Sequence, residues 1–252
     1  PWLRTDAPNI SELGTNVVFQ AAASWGAPVV DGDIKQAFLT GINVKKQCYL
    51  LPPPEGLSGV EPGSVLEPVK AIYGYADAPL CFWLKLAREA EKAGWVQSRL
   101  EKALFYFFDS SGQLRGIGGP HVDDWVCTGY GAQYERALAK LRASFSWGEW
   151  KKDSFSHCGR QVRRERDGSV IVEQLAYVQN IKAIELEARS LSTPMSDREL
   201  AASRSVLGNL GWAAKQTQPQ GSFHVSRLLG ELPQRNRSTL SRINKALKRV
   251  KD

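Results

Sequence analysis

Three aspartates raise the first chemical question. Asp123 and Asp124 are adjacent in Gly119-Pro120-His121-Val122-Asp123-Asp124-Trp125-Val126, and Asp33 closes the run Ala27-Pro28-Val29-Val30-Asp31-Gly32-Asp33. Neighbouring carboxylates repel, and a half-buried strand is a poor place for them unless cations neutralise them. Hard divalent ions take oxygen ligands, and Mg²⁺ keeps water or substrate phosphate in its remaining positions. Two such ions about 3.5–4 Å apart serve an in-line phosphoryl displacement. The plain alternative is a turn, where Asp is common for its side-chain hydrogen bonds. One Asp-Asp pair is expected by chance in roughly a chain of this size, so the pair alone favours the turn.

The elements that would carry these residues follow from periodicity and breakers. Ile10 to Trp25 has a helical repeat in Leu13, Val17, Val18, Ala21, Ala22 and Trp25, with Asn9 or Ser11 as cap. Gly26 and Pro28 break it, and Ala27 to Ile34 reads as a short buried strand ending at acids. Residues 52–68 form a Pro/Gly-rich loop. Leu80 to Ala93 is a second helix with Gly94 as its cap. Leu104 to Phe108 reads as a strand. Gln113 to Gly119 and Trp125 to Tyr130 flank the Asp pair as a β-hairpin. Ala132 to Phe145 is an amphipathic helix with Tyr134, Leu138, Leu141 and Phe145 on one side. Residues 155–174 read as a hairpin turning at Asp167-Gly168. The tail is helical: Ala176 to Leu186, Asp197 to Lys215, Ser222 to Leu232 and Ser238 to Val250. No internal repeat is visible.

The chain has 252 residues, 42% of them hydrophobic, enough for one large domain or two small ones. It has no apolar run long enough for a membrane span and no signal pattern, and it opens without Met, as a fragment would. Cys48, Cys81, Cys127 and Cys158 form no CxxC pair, and three His are too few for a metal knuckle. A reducing, intracellular setting fits. The net charge of +7 is uneven. Residues 1–159 hold 16 Lys+Arg against 17 Asp+Glu, and residues 160–252 hold 17 against 9. A basic half beside a neutral half suits a polyanion, and equally suits a basic surface with no partner.

Eight segments in order resemble the reverse transcriptase of copia-type retrotransposons, from about Thr5 to Arg227. Asp33-Ile34-Lys35-Gln36-Ala37-Phe38-Leu39-Thr40-Gly41 is similar to the family's D-V-K-T-A-F-L-N-G. Cys48-Tyr49-Leu50 with Pro52-Pro53 and Glu55-Gly56 resembles V-Y-M-x-Q-P-P-G-F. Val69-Lys70-Ala71-Ile72-Tyr73-Gly74, Ala78-Pro79 and Trp83 resemble K-S-L-Y-G-L-K-Q-A-P-R-A-W. Gly94-Trp95 to Phe105 is similar to G-F…D…C-L-Y. His121-Val122-Asp123-Asp124 stands where the family has Y-V-D-D. Gly159 to Gln174 with Tyr177, Ser192-Thr193-Pro194-Met195, and Leu207-Gly208-Asn209-Leu210 with Thr217 and Pro219 complete the series.

The resemblance implies an α+β fold: a right-hand polymerase palm of antiparallel sheet with packed helices, partial fingers and a helical thumb-like C-terminal region. Residues 1–187 would be the fingers and palm, N-terminally incomplete, and 188–252 the thumb- or connection-like part. It implies RNA-directed DNA polymerase activity with Asp33, Asp123 and Asp124 as catalytic metal ligands for two Mg²⁺, or Mn²⁺ in their place. Phe38 would pack under the sugar and exclude a 2′-hydroxyl, against the plain reading of a core aromatic. Tyr73, Gly74 and Asp77 fall in the substrate-binding segment. Arg160, Arg163, Arg164 and Arg166, with Lys245 and Arg249, would track nucleic-acid phosphates. The partners implied are an RNA template, a DNA primer and dNTPs, with no membrane. The setting implied is cytoplasmic, in a virus-like particle, or nuclear. The oligomeric state stays open.

Four departures bear on activity. Tyr75-Ala76-Asp77 replaces L-K-Q, which puts a carboxylate where a nucleotide-orienting Gln is expected. His121 replaces Tyr. Gly116-Ile117-Gly118-Gly119-Pro120 replaces an apolar run, and Gly and Pro weaken a strand. The basic fingers strand is expected upstream of the first residue, and Gln218-Pro219-Gln220 replaces R-P-D. Two other readings follow: a non-catalytic nucleic-acid-binding remnant of such a polymerase, and, with less support, a metal-dependent nuclease.

Overall fold

The first helix shows how local signals and packing divide the work. α1 (Glu12–Trp25) starts at Ser11, whose hydroxyl accepts from the Gly14 N–H, and ends at Gly26 in the left-handed conformation (φ 61°). Its buried face is Gly14, Thr15, Val18, Phe19 and Ala22, while Leu13 and Val17 are exposed. The expected apolar face is therefore rotated. Glu101 takes both the backbone N–H and the hydroxyl of Ser11 (2.5 and 2.9 Å) and lies where a side chain at Gly14 would stand.

The computed structural model describes residues 5–43, 58–61, 63–190 and 192–252. The Cys48-to-Gly56 motif lies outside the described residues. The chain divides into two compact units, 1–157 with 163–170, and 158–162 with 171–252.

In the first unit, β1 (Val29–Ile34) follows α1. A 3₁₀ turn spans Ala37–Thr40, and α2 (Ala78–Lys92) ends at Ala93, with Gly94 just beyond it at positive φ. β2 (Trp95–Gln97), β3 (Phe105–Phe108), β4 (Leu114–His121), β5 (Asp124–Gly129), α3 (Ala132–Ala143), β6 (Trp147–Lys152) and β7 (Ser154–His157) complete it. Six strands form one antiparallel sheet in the order β2-β3-β4-β5-β1-β6. β2 and β6 were not expected. Both are short and rich in Trp, without a clear period-two signal.

The Gly-rich strand is not loosened. β4 is eight residues long, and Gly116 to His121 pair with β5 in unbroken register. Its glycines make room: a Cβ at Gly116 or Gly129 would stand 2.4 Å from the Tyr134 ring, and one at Gly119 only 2.0 Å from the Ala103 carbonyl oxygen. Pro120 lies past the last residue paired to β3, so its missing N–H removes no bond on that side. Trp95, Trp125, Phe105 and Tyr134 fill the space with tilted and edge-on ring contacts at 5.5–5.8 Å.

β8 (Arg160–Arg164) and β9 (Val170–Glu173) flank the expected Asp167-Gly168 turn, where Ser169 bonds the Asp167 carboxylate. The second unit continues with α4 (Leu175–Asn180), α5 (Asp197–Gln216), α6 (Ser222–Glu231) and α7 (Ser238–Lys251). The helix expected from Ala176 to Leu186 stops at Asn180. Beyond it Ile181 and Ile184 enter the apolar core with Leu207, Leu210, Leu240, Ile243 and Leu247. The Asn244 amide bonds both the N–H and C=O of Ile184 (2.8 and 2.9 Å), which replaces helical bonding there. α5 opens with a capping box between Ser196 and Glu199. Among the described residues no helix is long and apolar enough to cross a membrane.

Candidate active site

Strand register brings the three aspartates together. Asp33, near the end of β1, faces Asp124 at the start of β5. Asp123 sits in the two-residue turn between His121 and Asp124, which pair directly. The turn is fixed from two sides. Asn9 accepts from the Val122 N–H (2.9 Å), and the Asp123 carbonyl accepts from the Ile34 N–H (2.9 Å). Val122 is held at φ 57°, a region a β-branched residue rarely enters, and those bonds over-determine it. Asn9, one of the two expected caps of α1, serves the hairpin instead.

One carboxylate oxygen from each of Asp33, Asp123 and Asp124 lies within 4.8 Å of the others. Asp33 is exposed, and the other two are half-buried. Burial, then the charges of Asp123 and Asp31, pushes Asp33 above the usual carboxylate range. Burial, then Asp31 and Asp123, pushes Asp124 up to about 6, and His157 opposes the rise. Gly148 on β6 leaves room here, since a Cβ would stand 3.3 Å from an Asp33 oxygen. An all-carboxylate set open to solvent fits hard divalent cations such as Mg²⁺ or Mn²⁺.

Phe38 is half-buried, with its ring 5.4 Å from Tyr73 and 6.4 Å from Phe82. It lines a cavity of about 320 Å³ with Asn9, Pro79, Phe82, Trp83 and Val122. Sequence reasoning flagged only Phe38 as a ligand contact on that wall. Tyr73 is exposed, and Gly74 has φ 96° with open space where a side chain would project. Asp77 occupies the N-cap position of α2, half-buried, and its carboxylate makes no capping bond.

The basic residues separate. Arg160 is 2% exposed, so it is corrected from a phosphate contact to an interior residue: β8 alternates, and its side chain points inward. Arg164 donates to the Gly26 carbonyl (2.8 Å), Arg163 pairs with Glu165 (2.7 Å), and Arg166 is exposed. Lys245 and Arg249 are exposed on α7, with Arg249 3.4 Å from His224. Asp31 and His157, which lie beside the carboxylates, were not singled out. Period two in Asp31-Gly32-Asp33 places Asp31 on the face of Asp33, whereas nothing local marks His157.

Comparison with known proteins agrees with this geometry. The sequence pattern of the family described as reverse transcriptase (RNA-dependent DNA polymerase) matches residues 2–196. Two proteins of Arabidopsis thaliana, the retrovirus-related Pol polyproteins from transposons RE2 and RE1, are 25% and 24% identical over 242 residues. The alignments cover 90% of this chain and 16% of each polyprotein, so the chain spans about one sixth of their length. The copia-type resemblance therefore extends over most of the chain, which belongs to the reverse transcriptase (RNA-dependent DNA polymerase) family.

Proposed function

We propose that the chain is the polymerase portion of a copia-type retrotransposon polyprotein. It would add dNTPs to a primer 3′-hydroxyl on an RNA template. The observation that carries this is the convergence of Asp33, Asp123 and Asp124 within 4.8 Å. In this reading the six-stranded sheet is the palm, and the helical C-terminal region from about residue 188 is thumb-like.

Asp33 and Asp123, with Asp124 as the less committed ligand, would hold two Mg²⁺ or Mn²⁺ ions. When bound, such ions make the primer hydroxyl a better nucleophile and neutralise charge on the departing pyrophosphate. The hydroxyl oxygen attacks the α-phosphorus, and the bond to the β-phosphate oxygen breaks. The chain's own part is positioning. The bonds to Asn9 and from Ile34 hold the hairpin turn, so the carboxylates need little reorganisation when substrate arrives. Phe38, braced by Tyr73 and Phe82, is the ring that would exclude a 2′-hydroxyl. Tyr73, Gly74 and Asp77 border the nucleotide. Arg163, Arg164, Arg166, Lys245 and Arg249 supply phosphate contacts.

Asp77 favours a second reading, a nucleic-acid-binding remnant without turnover, because its carboxylate stands where the family has Gln. Primer extension on an RNA template with Mg²⁺ separates the two. The polymerase reading expects extension that Asp123→Asn lowers by about a thousandfold. No extension by the wild-type chain, with duplex binding retained, gives the remnant.

A further inference from the structure

A fourth carboxylate lies beside the three aspartates and has no part in the roles above. Asp31 precedes Asp33 by two residues on β1, so both project from one face of the sheet. Its side chain is 8% exposed. One oxygen lies 2.9 Å from Nδ1 of His157, whose side chain is fully enclosed. The His121 ring stands edge-on to His157 at 6.2 Å, and His121 pairs across the hairpin with Asp124. On the other side, Lys151 of β6 pairs with Asp31.

These groups are electrostatically joined to the candidate metal site. The charge of Asp31 raises the carboxyls of both Asp33 and Asp124, and His157 acts in the opposite direction at Asp124. A buried carboxylate–imidazole hydrogen bond is a poor staple, because an apolar pair of similar volume often holds a core as well or better. A negative charge added to three others also worsens their repulsion until a cation arrives. Its use is then to favour the cation.

We propose that Asp31 and His157 act as one positioning unit that sets how tightly the Asp33–Asp123–Asp124 site holds a divalent cation. Asp31 supplies negative charge beside the site, and His157 holds that carboxylate against the sheet and off the ion. The inference rests on the metal-binding reading of the three aspartates.

The test is Mn²⁺ titration of the chain, read by the electron paramagnetic resonance signal of free Mn²⁺, without nucleotide or nucleic acid. Asp123→Asn tests the underlying reading and abolishes tight binding if it is right. Asp31→Asn, which keeps a hydrogen-bond acceptor, weakens Mn²⁺ binding about three- to tenfold, the scale of one charge about 7 Å along a strand from a water-facing site. His157→Gln shifts affinity the other way, and in the Asp31→Asn background it has little further effect, because it acts through that carboxylate, so the double variant departs from the sum of the singles. Equal losses in both single variants, the mark of a contact that only supports the fold, overturn the proposal. So does unchanged affinity in Asp31→Asn while Asp123→Asn loses binding. Mn²⁺ binding indifferent to Asp123→Asn, or absent from the wild-type chain, overturns the metal reading itself, and this inference with it. Thermal melts confirm folding, and Asp31→Ser or His157→Asn replaces a variant that does not fold.

Discussion

The two units of this chain use opposite means to become rigid. The first packs backbone against backbone and ring: Gly116, Gly118, Gly119 and Gly129 leave no room for a methyl group, and Val122 is held at positive φ. It also gathers Asp31, Asp33, Asp123 and Asp124, whose charges oppose one another. The second obeys local rules. Its helices carry apolar stripes into a core of Leu, Ile and Val, α5 starts at a capping box, and a buried ion pair ties the preceding segment down. Residues that conflict with local preference are concentrated where chemistry is proposed, and a unit without that burden has the more regular sequence.

Four substitutions test the contrast, in order of expected effect. Gly119→Ala places a Cβ 2.0 Å from the Ala103 carbonyl oxygen, a backbone atom with little freedom to yield. Chemical denaturation is expected to show a loss of about 3 kcal/mol or more. A loss below about 1 kcal/mol would mean that the sheet is softer than its register implies.

In the second unit the matching weak point is charge. Arg237 bonds Glu199 at 2.8 Å with both side chains 2% exposed, and it also reaches the carbonyls of Glu187, Arg189 and Ser190. Burial pushes the Glu199 carboxyl up, but Ser196, Arg237 and Arg189 outweigh it and hold the group below its ordinary value. Arg237→Met leaves that carboxylate only the Arg189 cation and the Ser196 N–H. A loss of about 3 kcal/mol is expected, read from the denaturation midpoint.

A smaller effect separates the units by pH. Folding raises Asp124 to about 6, so between the ordinary value of 3.8 and about 6 the folded chain keeps a proton that the unfolded chain has released. Stability without metal therefore falls as pH rises through that window. Asp124→Asn removes the loss. In EDTA its melting temperature should exceed wild type by about 2–4 °C at pH 7.5, with the gain fading toward pH 4.5. A gain of equal size at both pH values would remove titration as its cause.

The smallest change runs the other way. Gly208, inside α5, has open space where a Cβ would project. Gly208→Ala should stabilise the chain by about 0.5–1 kcal/mol. The same chemical change is thus expected to have opposite signs in the two units, and a loss at Gly208 would break the comparison.

The sequence by itself determined what depends on near neighbours and repeated patterns. The Ser11 cap, Gly26, the Asp167-Gly168 turn, the ends of α5 to α7, and the hairpin bearing Asp123 and Asp124 all rest on local bonding or on periods of two and 3.6. Eight ordered motifs gave the family, and with it the candidate trio. Tertiary structure decided what depends on distant partners. Glu101 turned the face of α1, Asn244 ended α4 early, and the alternation of β8 buried Arg160. His157 met Asp31 across 126 positions of chain. No local pattern encodes such a meeting, because the interaction depends on distance in space, and only the assembled strands set that distance.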